Sequence, residues 1–139
     1  EAYKVASPND TVTVLDISGE NLPVFTASSA QAKFKVWEAG AAAADDDAEW
    51  MKTKELIKQF TSATKYVVCA PMHNFQIPAA LKLYIDHLVQ PHLTFRPDNY
   101  AGLVTGKPMC IVRASGGAEV DGPMDTGIQF LRAAFGFIG

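Results

Sequence analysis

Apolar and polar positions along the chain fall into segments of two different periods. Thr11-Val12-Thr13-Val14-Leu15 alternates and is β-branched, which predicts a strand. Asp16 to Phe25 reads as loop, with turn signals at Ser18-Gly19 and at Pro23. Ser29 to Ala44 is Ala-rich and is expected to be helical in its first half. The small acidic run Ala41 to Asp47 then offers carboxylates to the N-terminus of a following helix. That helix is predicted over Glu49 to Phe60, with Trp50, Leu56, Ile57 and Phe60 as its apolar positions.

Lys65-Tyr66-Val67-Val68-Cys69-Ala70 is a short apolar run and predicts a second strand. Pro78 to Val89 carries the clearest helical period: Leu81, Tyr84, Ile85, Leu88 and Val89 share one face, Pro78 suits the first turn, and Pro91 ends it. Pro108 to Ala114 predicts a third strand. Gly122-Pro123 is expected to open a last helix with Met124, Ile128, Leu131 and Phe135 on one face, stopped by Gly136. Strands alternating with helices predict a parallel α/β layering, and no repeat or linker divides it, so a single domain over 1–139 is expected.

Composition narrows the function classes. Apolar residues are 48% and charged residues 19% of the chain, an ordinary globular balance, and no run reaches the roughly 20 apolar residues of a membrane span. The net charge of −3 gives no electrostatic case for nucleic acid. Cys69 and Cys110 each lie in an apolar strand run and read as buried small hydrophobes, which fits a cytoplasmic protein.

Candidate chemistry concentrates where the second strand meets its helix, in Ala70-Pro71-Met72-His73-Asn74-Phe75. Ligands of open α/β sheets bind outside the carboxyl ends of the strands. A polar His-Asn pair between apolar neighbours suits a flat ring that is apolar on its faces and polar on one edge. Ala114-Ser115-Gly116-Gly117 closes the third strand, and consecutive glycines let backbone approach a ligand or adopt positive φ. Gly102 to Lys107 has three residues between its glycines and Pro108 after the lysine, so it does not make a triphosphate-binding loop. His87 and His92, separated by Pro91, have poor metal-ligand spacing, and no metal site is assigned.

The segment from Cys69 to Asp86 resembles the flavin-contacting strand-to-helix segment of the FMN-dependent NADH-azoreductase family, which includes NADH:quinone oxidoreductases. A second match runs from Gly102 to Gly139. The resemblance implies a flavodoxin-like parallel sheet with helices on both faces and strand order 2-1-3-4-5. Thr11–Leu15, Lys65–Ala70 and Pro108–Ala114 would then be strands 2, 3 and 4. Strand 1, its serine-rich phosphate loop, strand 5 and the last helix have no counterpart in this sequence, so the chain is expected to be an incomplete portion of that fold.

The same resemblance implies FMN as cofactor and NADH as electron donor. Quinones or azo compounds would be the acceptors and a homodimer the assembly, with no nucleic acid and no membrane as partner. It places Pro71, Met72, His73, Asn74 and Phe75 against the isoalloxazine ring, with His73 where the family often has Tyr. Ala114, Ser115, Gly116 and Gly117 fall against the ribityl chain and the O2 edge. Phe95 and Phe137 match apolar elements near the substrate pocket, where one subunit's aromatics cover the other's flavin, and no catalytic side chain is assigned. A non-enzymatic FMN-binding or electron-carrier module and an inactive fragment are the alternative readings.

Overall fold

A computed structural model describes residues 2–18, 22–117 and 119–139. Its elements run α1 (Ala2–Ala6), α2 (Ala27–Ala39), α3 (Ala48–Ser62), β1 (Tyr66–Pro71), α4 (Ala79–Leu88), β2 (Met109–Ala114) and α5 (Thr126–Ile138). The turn expected at Ser18-Gly19 reaches Gly19, which lies outside the described residues.

The helices start where side chains satisfy their first amides. Thr26 and Ser29 form a reciprocal capping box on α2, and Gly40 ends that helix at φ 95°. Asp47 caps α3 through the amides of Glu49 and Trp50 at 2.9 and 3.0 Å, so the acidic run does act as a cap. Pro78 stands one position earlier than expected, as the N-cap residue of α4.

β1 and β2 pair in parallel, with Tyr66 opposite Met109 and Pro71 opposite Ala114. The inward positions Tyr66, Val68, Met109 and Ile111 pack on a core of Ala70, Leu81, Tyr84, Ile85 and Leu88, with Leu131, Phe135 and Ile138 from α5. A second, smaller cluster joins Ala32 and Val36 of α2 to Ala44 and Trp50. The described helices therefore cover one face of the strand pair.

Several expectations are corrected. Thr11–Leu15 is not a strand: no neighbouring strand among the described residues offers it a ladder, and alternation without a partner leaves backbone groups to water. Cys69 and Cys110 are exposed rather than buried, because the period of two puts them with Val67 and Val112 on the outward face. Gly136 does not stop α5, which continues to Ile138; an exposed mid-helix glycine costs only about 1 kcal/mol. Gly122-Pro123 does not open α5 either. Asp125 caps it, and Met124 lies outside the helix, 53% exposed. Among the described residues no helix is long and apolar enough to cross a membrane.

Candidate functional site

Two loops leave the carboxyl ends of adjacent parallel strands. The first continues β1: the amide of Met72 donates to the carbonyl of Ala114 at 2.7 Å, adding one bond beyond the ladder. The chain then reverses in a tight turn. The amides of His73 and Gln76 donate to each other's carbonyls at 2.8 and 3.0 Å. The two central residues, Asn74 at φ 49° and Phe75 at φ 70°, are both left-handed, as in a type I′ turn. Asn tolerates that conformation; a phenylalanine there is strained, by about 1–2 kcal/mol.

The neighbouring helix holds the strained turn. Thr126 Oγ1, in the first turn of α5, donates to the carbonyl of Phe75 at 2.7 Å. Gln76 folds back, accepting the Ile77 amide at 2.9 Å and reaching Thr126 with its Nε2 at 3.4 Å. Gly127 lets α5 come this close: a Cβ there would lie 3.0 Å from the Ile77 nitrogen and 2.9 Å from the Arg113 guanidinium. The turn projects Phe75 outward, 51% exposed, with His73 and Asn74 also exposed. Among the described residues the side chains of His73 and Asn74 make no hydrogen bond, so Asn74 keeps both amide donors and its carbonyl for a ligand.

The second loop, Ala114 to Gly117, lies beside the first. Neither Gly116 nor Gly117 has a positive φ, so their use is space: nothing stands within 4 Å of a Cβ at either position. Pro71, Met72, His73, Asn74, Phe75, Ala114, Ser115, Gly116 and Gly117 are thus brought to one edge. Phe95 and Phe137 are brought to each other, with ring centroids 4.8 Å apart, but not to that edge. Thr126 touches the turn at the start of α5, and Phe137 lies near its other end, about 16 Å along the axis. There Phe95 and Phe137 join Trp37 and Tyr100 in an aromatic cluster. Phe137 also lines a groove of about 410 Å³ between α4 and α5. Lys33 closes one side of it, donating to the Val89 carbonyl at 3.1 Å, and burial pushes its ammonium pKa down.

Sequence reasoning missed the support beneath the site. Arg113 and Asp125 form a buried ion pair, with 2% and 0% side-chain exposure. The Arg113 guanidinium holds the Asp125 carboxyl below the usual carboxylate range. The signal was a lone charge at inward parity in an otherwise apolar strand, Met109-Cys110-Ile111-Val112-Arg113-Ala114. His87 belongs to the core instead of any metal site. Its Nε2 donates to the Pro23 carbonyl at 2.7 Å, so its Nδ1 accepts from Thr53 Oγ1 at 2.8 Å.

A parallel strand pair with its loops at the carboxyl edge defines an open α/β fold of the flavodoxin class. Residues 1–139 match the family model described as flavodoxin-like fold, and the chain belongs to that family. It is 38% identical to the FMN-dependent NADH:quinone oxidoreductase of Nitratidesulfovibrio vulgaris, over 100% of this chain and 69% of that protein. It is 32% identical to FMN-dependent NADH:quinone oxidoreductase 1 of Bacillus subtilis, over 99% and 69%. The azoreductase of Bacillus anthracis strain Sterne superposes with a TM-score of 0.83 at 30% identity, covering 99% of this chain and 69% of that structure. An FMN-dependent NADH-azoreductase from Bacillus anthracis, in complex with FMN, gives 0.73 at 26% identity, over 90% and 62%.

Proposed function

We propose that this chain is an FMN-dependent oxidoreductase that passes two electrons from NADH to quinones or azo compounds. The observation that carries the reading is the left-handed turn at Asn74-Phe75, set at the carboxyl edge of the strand pair beside the open Gly116-Gly117 backbone. The donor set fits a flavin ring. Met72 and Phe75 give apolar surface, Asn74 gives amide hydrogen bonds to a polar edge, and Gly116-Gly117 leaves room for close approach. Bound FMN supplies the two-electron chemistry.

The chain's own residues bind and orient. Pro71 to Phe75 would hold the ring against the strand ends, and Ala114 to Gly117 would lie against the ribityl chain and the O2 edge. Backbone amides at such a turn favour the negative charge that reduction brings. His73, exposed on the same turn, is the candidate proton donor to the product and is not assigned to hydride delivery; loss of reduction by NADH on its removal would instead mark it as shaping the ring site. A His73→Ala variant therefore keeps reduction by NADH and slows acceptor turnover.

Phe137, half-buried about a helix length from its own chain's turn, serves the substrate side of a second copy's site in a homodimer; Phe95, expected beside it, is only 3% exposed and acts by backing the Phe137 ring from the core. Two free cysteines support a reducing, cytoplasmic setting.

The deciding experiment is an absorbance spectrum after adding FMN and desalting. Retained flavin bands that NADH bleaches support the oxidoreductase. Retained bands that NADH bleaches only slowly point to an electron carrier, and a colourless protein overturns the flavin reading.

A further inference from the structure

We propose that Arg113 is a positioning residue for the flavin ring, locking the Met72–Gln76 turn to the first turn of α5. The proposal rests on the FMN reading above and adds to it a residue that touches no ligand.

Arg113 occupies an inward strand position that its neighbours Met109 and Ile111 use for the core. Removing a guanidinium from water is costly unless every direction of its fork is satisfied. Here each is. Nη1 donates to the carbonyl of Ala70 at 2.6 Å and reaches that of Pro71 at 3.4 Å, the last two residues of β1. Nη2 and Nε take the two oxygens of Asp125, at 2.5 and 3.3 Å. Asp125 in turn accepts the Ile128 amide at 3.1 Å, capping α5.

One planar group thus joins the exit of β1 to the start of α5. Thr126, next to Asp125, completes the circuit by donating to the Phe75 carbonyl. Gly127 packs against both the guanidinium and the Gln76–Ile77 backbone. The turn that faces the ring is strained at Phe75, so it persists only if its surroundings dictate it. Arg113 and Asp125 are the buried part of those surroundings. A lysine keeps the charge but cannot bond both partners in one plane.

The test compares wild type with Arg113→Met, Arg113→Lys and Asp125→Asn. Amide hydrogen exchange is measured without FMN, and FMN affinity and flavin absorbance are measured with it. In Arg113→Met, protection of the His73 and Gln76 amides is expected to fall about tenfold, with FMN affinity falling in parallel, while Ile57 in α3 keeps its protection. The flavin band shifts as the ring loses its fixed edge, and Arg113→Lys does not restore it.

Where Arg113→Met fails to fold, Arg113→Lys and Asp125→Asn carry the same comparison. Two results overturn the proposal with the flavin reading intact: wild type and variants binding FMN within twofold of each other, or protection falling equally in the turn and in α3. A wild type that holds no FMN overturns both, whatever the exchange data show.

Discussion

The amide of Met72 donates to the carbonyl of Ala114 at 2.7 Å, one step past the last ladder pair of β1 and β2. This single bond sets the two candidate ligand loops side by side. What lies above it is exposed and polar-edged; what lies beneath it is the buried Arg113–Asp125 pair. The site is therefore a strained surface turn resting on a charged internal brace, and the following predictions probe each part.

Asp125 is held below the usual carboxylate range chiefly by its hydrogen bond with Arg113. A carboxyl with a depressed folded pKa contributes stability above its unfolded value, near 3.9, and loses it as pH falls through the folded one. Asp125→Asn is expected to cost about 3 kcal/mol at pH 7. The gap from wild type should begin to narrow as pH drops below about 4, where the unfolded chain takes up the proton, and should close as pH falls through the lower folded pKa, where Asp125 itself becomes neutral. Urea denaturation at pH 7, 5 and 3 checks this, and a gap that stays constant with pH rejects it.

Gly127→Ala ordinarily strengthens a helix by about 1 kcal/mol. Here the new methyl meets the Ile77 nitrogen at 3.0 Å and the Gln76 carbonyl carbon at 3.1 Å. A net loss of about 1–3 kcal/mol is expected, as for overpacked cores. A thermal scan showing a gain in stability would mean that α5 backs away from the turn at little cost.

Phe75→Gly removes the left-handed strain at an exposed position. Stability should hold or rise by up to about 1 kcal/mol, the strain relief set against glycine's extra unfolded freedom. FMN affinity should fall, because the apolar ring face is gone. Calorimetry and FMN titration on the same variant separate the two effects, and a clear drop in Tm rejects the assignment of Phe75 as a ligand contact held under strain.

Gly102 backs onto the end of α5. A Cβ there would stand 2.4 Å from the Ile138 carbonyl carbon and 2.5 Å from the Gly139 nitrogen. Gly102→Ala is expected to cost about 3 kcal/mol and to loosen the Phe95–Phe137 contact. Urea unfolding measures the first, and the second shows in the aromatic NMR shifts of both rings.

Thr53→Val keeps the volume but removes the hydroxyl that donates to the buried Nδ1 of His87. A cost of about 1–3 kcal/mol follows from leaving that acceptor unpaired. A variant as stable as wild type would show that His87 has turned or found water.

Helices α3 and α4, the two paired strands and the turn between β1 and α4 were legible in the sequence, as were the bodies of α2 and α5 but not their ends. Their signals are local: the acidic run ending at Asp47 as a cap, the i, i+3, i+4 stripe Leu81–Tyr84–Ile85, and an Asn in a strand-to-helix junction. Local bonds and short-range periodicity are written in neighbouring residues. Tertiary structure alone decided which face of a strand meets the core, since a period of two is symmetric until packing breaks it; this is why Cys69 and Cys110 point outward. It decided that Thr11–Leu15 stays out of the sheet, because a strand exists only with a partner. It also decided that Arg113 meets Asp125 and that Thr126 meets Phe75. Those contacts join residues 12 and 51 positions apart, and nothing in the spacing of charges or hydroxyls along a chain states which of them will share one buried space.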